Sequence, residues 1–220
     1  METHISGFSP IHSAAQNDYL DVVKILLKEG VRIGTALQSA SFAGYSSMIE
    51  ALLHGKADVN AKDHRGNTAL LLAVIGNHKR AVEILLNYGA DVNHLDANGS
   101  SMLCYAVRNN NKDLLDVLIA KGADVNVDGG KLLLTAIQAG HRYIVETLLK
   151  NKDVDINIKC EHGSNLLYTA ALSGDEIIAR ALIKKGIKVE DCLPLFPHHY
   201  YASPLFIATT LRHTGFVEVF

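Results

Sequence analysis

The feature that most restricts this chain is a period. Gly55-Lys56-Ala57-Asp58-Val59-Asn60, Tyr88-Gly89-Ala90-Asp91-Val92-Asn93 and Lys121-Gly122-Ala123-Asp124-Val125-Asn126 are near-copies whose final residues stand 33 apart. A diverged copy, Asp153-Val154-Asp155-Ile156-Asn157, follows at an interval of 31. A chain that repeats at this interval is built from supersecondary units. One such unit cannot bury its apolar face alone, so neighbours must stack to close a continuous core.

Two further anchors keep the same beat. A small residue recurs at Ala14, Ala40, Ala73, Ala106, Ala136, Ala170 and Ala208. Four positions after the first six of these stand Asp18, Gly44, Asn77, Asn110, Gly140 and Gly174, the residue types that tolerate the left-handed backbone at a helix end. A paired aliphatic recurs at Leu26-Leu27, Leu52-Leu53, Leu85-Leu86, Leu118-Ile119, Leu148-Leu149 and Leu182-Ile183. Between these anchors the apolar spacing is helical, with Leu70, Ala73 and Val74 before Asn77 and Ala81, Val82, Ile84, Leu85 and Leu86 after it. Each unit therefore reads as helix, tight turn, longer helix and a polar hairpin-like connection.

The pattern resembles the ankyrin repeat family, best at Asp63 to Asn93, and Ser9-Pro10-Ile11-His12-Ser13-Ala14-Ala15 carries the Pro-Leu-His element in its first copy. The resemblance implies an all-α solenoid of helix-turn-helix units with finger loops, one array over residues 1–220. Its units are about 7–33, 34–62, 63–95, 96–127, 128–159, 160–190 and 191–220, with an insertion at 191–201 and an incomplete last unit. In the family the His of the Pro-Leu-His element bonds the neighbouring turn. Here that position holds His12, Gln38, Leu71, Cys104, Leu134, Tyr168 and Phe206, so apolar packing is expected to replace the bond in most copies, at lower stability than a consensus array.

The copies depart from one another in length. Gly30 to Thr35 spans five steps where Gly89 to Ser101 spans twelve, so a finger is expected to be missing between the first two units. The insertion Asp191–Tyr201 is apolar and bounded by Pro194 and Pro197; Phe196, Tyr200 and Tyr201 are expected to cover the sixth unit in preference to meeting a partner. The seventh copy starts at Ser203 and has Val217, Val219 and Phe220 where a polar cap is usual. That implies a fragment of a longer chain, or a last helix that docks irregularly.

Composition narrows the function. Lys and Arg number 21 against 23 Asp and Glu, a net charge of −2, which lacks the basic excess of a nucleic-acid binder. Three cysteines without a C-x-x-C fit reduced thiols and a cytoplasmic or nuclear setting. The first residues lack a basic segment followed by an apolar one, and no apolar run reaches about 18 residues, so neither a signal peptide nor a membrane span is expected. Cys192, His198 and His199, like Cys160 and His162, lack the paired spacing of a zinc site. No phosphate loop is present, and Arg180, Lys184, Lys185 and Lys188 read as a solvated helix end. No catalytic residue, metal or cofactor is expected.

The resemblance implies a non-catalytic scaffold, a monomer, that binds a protein partner through its concave face of finger tips and first helices. The helix row two residues past the Ala anchors holds Gln16, Phe42, Ile75, Arg108, Gln138 and Leu172, of which Phe42, Ile75 and Arg108 form a candidate hot spot. Tyr105, Asn98, and His64, Arg65, Asn67 and His162 on fingers complete the candidate surface. Some family members are substrates of an asparaginyl hydroxylase that needs a Leu eight residues upstream. Leu52/Asn60, Leu85/Asn93 and Leu118/Asn126 match, which makes these three Asn candidate modification sites against ordinary turn chemistry. Two other classes stay open: the recognition arm of a larger enzyme or signalling protein continuing past residue 220, or a microbial effector acting on host proteins.

Overall fold

In a computed structural model of the chain, the structure describes residues 9–127, 129–159, 165–189 and 203–219. Among these residues there are fourteen helices and no strand, only an isolated bridge between Lys62 and Thr68. The helices come in pairs. They are α1 (Pro10–Gln16) and α2 (Leu20–Lys28), α3 (Ala36–Ala43) and α4 (Ser46–His54), and α5 (Ala69–Ile75) and α6 (Lys79–Asn87). Then follow α7 (Met102–Arg108) and α8 (Lys112–Ala120), α9 (Lys131–Gln138) and α10 (Arg142–Lys150), α11 (Leu166–Ser173) and α12 (Glu176–Lys185), and α13 (Pro204–Thr210) and α14 (Thr214–Val217). None is long and apolar enough to cross a membrane. The described residues fall into two compact units, one within Met1–Ala106 and Val117–Ala123, the other within Val107–Asp116 and Asp124–Phe220.

In the first unit α1, α3 and α5 pack side by side, and α2, α4 and α6 form a second layer beside them. Ile11, Leu37, Leu70 and Leu71 are fully buried from one layer, as are Met48, Ile49, Leu52 and Leu85 from the other. In the second unit α9, α11 and α13 repeat the first layer, and α10 and α12 the second. A fully buried Leu or Ile contributes about 1.5–3 kcal/mol through area removed from water. The helices have at most ten residues, too short to persist alone, so this stacking burial is what keeps them helical.

Local chemistry sets where each helix starts and stops. Ser9, Thr68 and Ser203 accept the N–H of the residue three positions on, and Pro10 and Pro204 sit where a missing N–H is harmless. The turn inside each pair contains the expected left-handed residue: Asp18, Gly44, Asn77, Asn110, Gly140 and Gly174 all have positive φ. The seventh turn uses Arg212, at φ 58°, a residue with no such tolerance. In the second repeat Lys56 takes the left-handed position, and Gly55 before it does not. A Cβ on Gly55 would lie 2.7 Å from Leu27 Cδ2, so that glycine serves close packing.

The turns at the other end of each unit are tied by an asparagine ladder. Asp58, Asp91, Asp124 and Asp155 each accept the N–H two residues on. The following Asn then bridges to the next turn. Asn60 Nδ2 donates to Gly89 O at 3.2 Å while its Oδ1 accepts from Asp91 N at 2.8 Å. Asn93 Nδ2 donates to Gly122 O at 3.2 Å, and Asn126 Oδ1 accepts from Asp155 N at 3.0 Å. The recurrent Asp-x-Asn is thus a donor and acceptor pair spaced to fit its own copy.

Candidate functional site

Two fingers of the first unit share one build. Asp63 Oδ1 accepts from Arg65 N at 2.8 Å and Asn67 N at 2.9 Å, and Gly66 closes the turn at φ 82°. Asp96 does the same for Asn98 N and Ser100 N, both at 2.8 Å, with Gly99 at φ 76°. His94 Nε2 bonds Gly66 O at 2.9 Å, tying the second finger to the first. Burial pushes the Asp63 carboxyl up, but the N–H groups of Asn67 and Arg65 outweigh it, so Asp63 ionises below its ordinary range. Between α2 and α3 no such finger is made: the chain passes from Gly30 through Gly34, both left-handed, into α3.

The shortened connection leaves a groove of about 890 Å³ in the first unit. Its lining comes from α1 (His12, Gln16), α3 (Gln38, Phe42) and the first finger (Asp63, His64). Phe42 is 55 % exposed there. His12 is buried and bonds Thr35 Oγ1 through Nδ1 at 2.8 Å, with Ser39 Oγ 3.3 Å from its Nε2. Burial lowers the His12 pKa against the opposing bond to Thr35, which keeps the ring neutral at pH 7. Gln38, in the equivalent place one repeat on, donates from Nε2 to Ala61 O at 2.9 Å. Its Oε1 is buried and meets no donor. A buried acceptor in that state costs about 1–3 kcal/mol.

The expectation that apolar packing replaces the histidine therefore holds at Leu71, which is fully buried, but not throughout. Gln38 makes a polar bond of its own, because its amide reaches the next finger's carbonyl. Phe206 is 52 % exposed, so it does not serve as core packing.

The predicted helix row faces solvent at Gln16, Phe42, Arg108, Gln138 and Leu172, whereas Ile75 is half-buried. Of the finger candidates, His64, Arg65 and Asn98 are exposed. Asn67 is half-buried and its Nδ2 donates to Asp63 Oδ2 at 3.1 Å. Tyr105 donates its hydroxyl to Asp96 Oδ2 at 2.6 Å, bracing the second finger from α7. Phe42, Ile75, His64, Arg65, Asn67, Asn98 and Tyr105 belong to the first unit, and Arg108 and Leu172 to the second. His162, Cys160 and Cys192, with His198, His199 and the aromatic insertion, lie outside the described residues. Asn60 and Asn93 are exposed and Asn126 half-buried, their side chains engaged in the ladder.

The described residues hold no group of three His, Cys, Asp or Glu able to bind a metal. Lys185, from the basic cluster, donates to Leu149 O at 2.7 Å and Asn151 O at 2.9 Å, satisfying carbonyls at the end of the preceding unit. Asp175 caps α12 and accepts from Arg142 Nε at 2.7 Å, a bond that raises the pKa of the guanidinium. Lys112 lies 4.6 Å from the Tyr143 ring centroid. Sequence reasoning passed over Gln38 and Asp63 as site residues, although the short connection ahead of an intact finger was a signal for the groove they line.

Family models for ankyrin repeats match residues 6–34, 37–129 and 126–191. Among solved structures, the ankyrin repeat domain of Bcl-3, described as a unique member of the IkappaB protein family, superposes with a TM-score of 0.81 at 23 % identity. That match covers 98 % of this chain and 99 % of that one. The ankyrin repeat domain of human ASB11 gives 0.71 at 22 % identity, over 97 % and 98 % of the two chains. An ankyrin repeat domain from Acinetobacter baumannii AYE gives 0.74 at 26 %, over 84 % and 95 %.

Proposed function

This chain belongs to the ankyrin repeat family, whose domains are generally protein–protein interaction modules and typically non-catalytic; on that premise we propose that it is a scaffold that binds a protein partner through its fingers and first-helix rows. The observation that carries this reading is the exposure of Phe42 and Leu172 at a helix position whose near neighbours Ser41 and Ala171 are buried. An apolar side chain held out from a packed frame is available for contact, and aromatic anchors of that sort dominate interfaces. The ladder and the Asp-based fingers support it further, since a surface already ordered loses little freedom on binding. The net charge of −2 supports a protein partner over a nucleic acid.

The test is affinity capture with immobilised full-length chain, followed by binding measurements on the captured protein. Phe42→Ala and Arg108→Ala are expected to weaken binding, by about tenfold for an anchor residue, with circular dichroism unchanged. Wild-type affinity in both variants would remove the row from the binding surface.

A further inference from the structure

The groove between α1, α3 and the first finger carries more than a general contact surface. It lies between Thr35, where the fingerless connection from Gly30 ends, and the intact finger at Asp63 and His64. Its lining includes two side chains with open acceptor capacity, Asp63 and Gln38. Asp63 is ionised, and its carboxylate, which has about four acceptor positions, receives three bonds, from Arg65 N, Asn67 N and Asn67 Nδ2. Gln38 Oε1 lacks a donor although the residue is nine-tenths buried. The bond from Nε2 to Ala61 O fixes which end of that amide is oxygen, since the reverse orientation would set two acceptors against each other. Oε1 is thus an open acceptor on a residue that lines the groove while Nε2 stays on Ala61 O. Beside these acceptors lie the exposed Phe42 ring and the Leu72 side chain.

Among side chains, one chemistry satisfies all of these features together. A guanidinium is planar, always charged, carries five N–H donors in a fixed fork and stacks on aromatic faces. An ammonium offers a point charge with weaker stacking, and an aliphatic side chain leaves Gln38 and Asp63 unanswered. Resting on the protein-binding reading above, we infer that this groove receives an arginine side chain of the partner, its guanidinium over Phe42 with donors towards Asp63 and Gln38. The charge complementarity rests on Asp63, the one carboxylate among the described lining residues, beside the buried His12, whose pKa is lowered by burial.

The test uses the full chain and N-acetyl-argininamide as the probe, followed by amide NMR, with N-acetyl-lysinamide and N-acetyl-leucinamide as matched controls. Saturable shifts are expected at the Gln38 side-chain amide and at Ser39, Phe42 and Asp63, with the lysine compound binding about threefold or more weaker. Asp63→Asn keeps an oxygen for the Arg65 and Asn67 amides and removes the charge; it is expected to weaken the probe about fivefold or more. Phe42→Leu, which keeps bulk and removes the ring face, is expected to weaken it as well. Shifts that are absent, that fall elsewhere, or that are equal for the three probes overturn the inference. If they fail while Phe42→Ala still weakens the captured protein, the arginine assignment alone is wrong. If the probe behaves as expected and Arg108→Ala alone binds like wild type, the row of the previous proposal fails and the groove stands.

Discussion

The third and seventh copies are built to the same plan with different amounts of core. In the third, α5 buries Ala69, Leu70, Leu71, Ala73 and Val74, and α6 buries five more residues over its nine. In the seventh, α13 buries Pro204 and Ala208 and the four-residue α14 buries Phe216. Yet both begin with a hydroxyl cap, both turn on a left-handed residue, and both send the next histidine to a carbonyl of the preceding first helix. His78 Nε2 is 3.0 Å from Phe42 O, and His213 Nδ1 is 3.0 Å from Ala171 O. Local hydrogen-bond chemistry thus writes the shape of a unit, and burial determines how firmly the shape is held.

The sharpest way to break this comparison is to delete the side chain at one shared position. Leu71→Ala is expected to cost about 2–5 kcal/mol in urea unfolding, the range for a buried Leu, whereas Phe206→Ala, on an exposed site, should stay within about 0.5 kcal/mol. Equal losses would show that burial does not separate the two copies. Next come the caps. Thr68→Ala and Ser203→Ala should each cost about 0.5–2 kcal/mol, and similar values at the two sites would support a cap energy independent of core. A smaller effect is expected at the turns. Arg212→Gly relieves a left-handed arginine and should raise stability by about 1 kcal/mol or less, read as a higher thermal midpoint, while Asn77→Gly should be nearly neutral.

The smallest effect is a pH dependence. Burial holds the folded-state pKa of His12 below the ordinary imidazole value of about 6.5. The unfolded chain therefore binds the proton more readily, so the His12 contribution is complete above that ordinary value and is lost as pH falls through the folded-state pKa. Urea midpoints of wild type and His12→Gln should converge on acidification, with the imidazole titration followed by NMR. A His12 signal that titrates above the ordinary value would reverse the sign.

Much of this was legible in the chain itself. The Asp-x-Asn spacing announced capped turns, though not the Asn bonds from one turn to the next, and Gly, Asn and Asp at the six turns announced the left-handed backbone, because those residue types have a steric reason to be there. Arg212 and Lys56 gave no such notice. Their backbone goes with the bond that closes the preceding helix, His213 N onto Ala208 O and Ala57 N onto Leu52 O. The surface was legible as a row, since Gln16, Phe42 and Leu172 follow from helical period alone. The groove was half legible: the short connection ahead of an intact finger stood in the spacing, whereas the unpartnered oxygen of Gln38 has no residue type as its mark.

The histidine contact has a consequence for how such chains are rearranged. A Cβ on Gly44 would come within 2.8 Å of three atoms of the His78 ring, and one on Gly174 within 2.9 Å of three atoms of the His213 ring. The ring of one unit thus occupies the space where a side chain on the previous turn would begin. At these two junctions the histidine that begins the second helix fits against a glycine on the preceding turn, whereas His141 in the fifth unit follows a unit that turns on Asn110, and its buried Nδ1 meets no partner. The third unit ends its own turn on Asn77, so a tandem duplicate of it would set a His78 equivalent against an asparagine. Copying or grafting across matched neighbours keeps the ring-to-carbonyl contact of His78 and His213, and the grammar of the array is written in pairs.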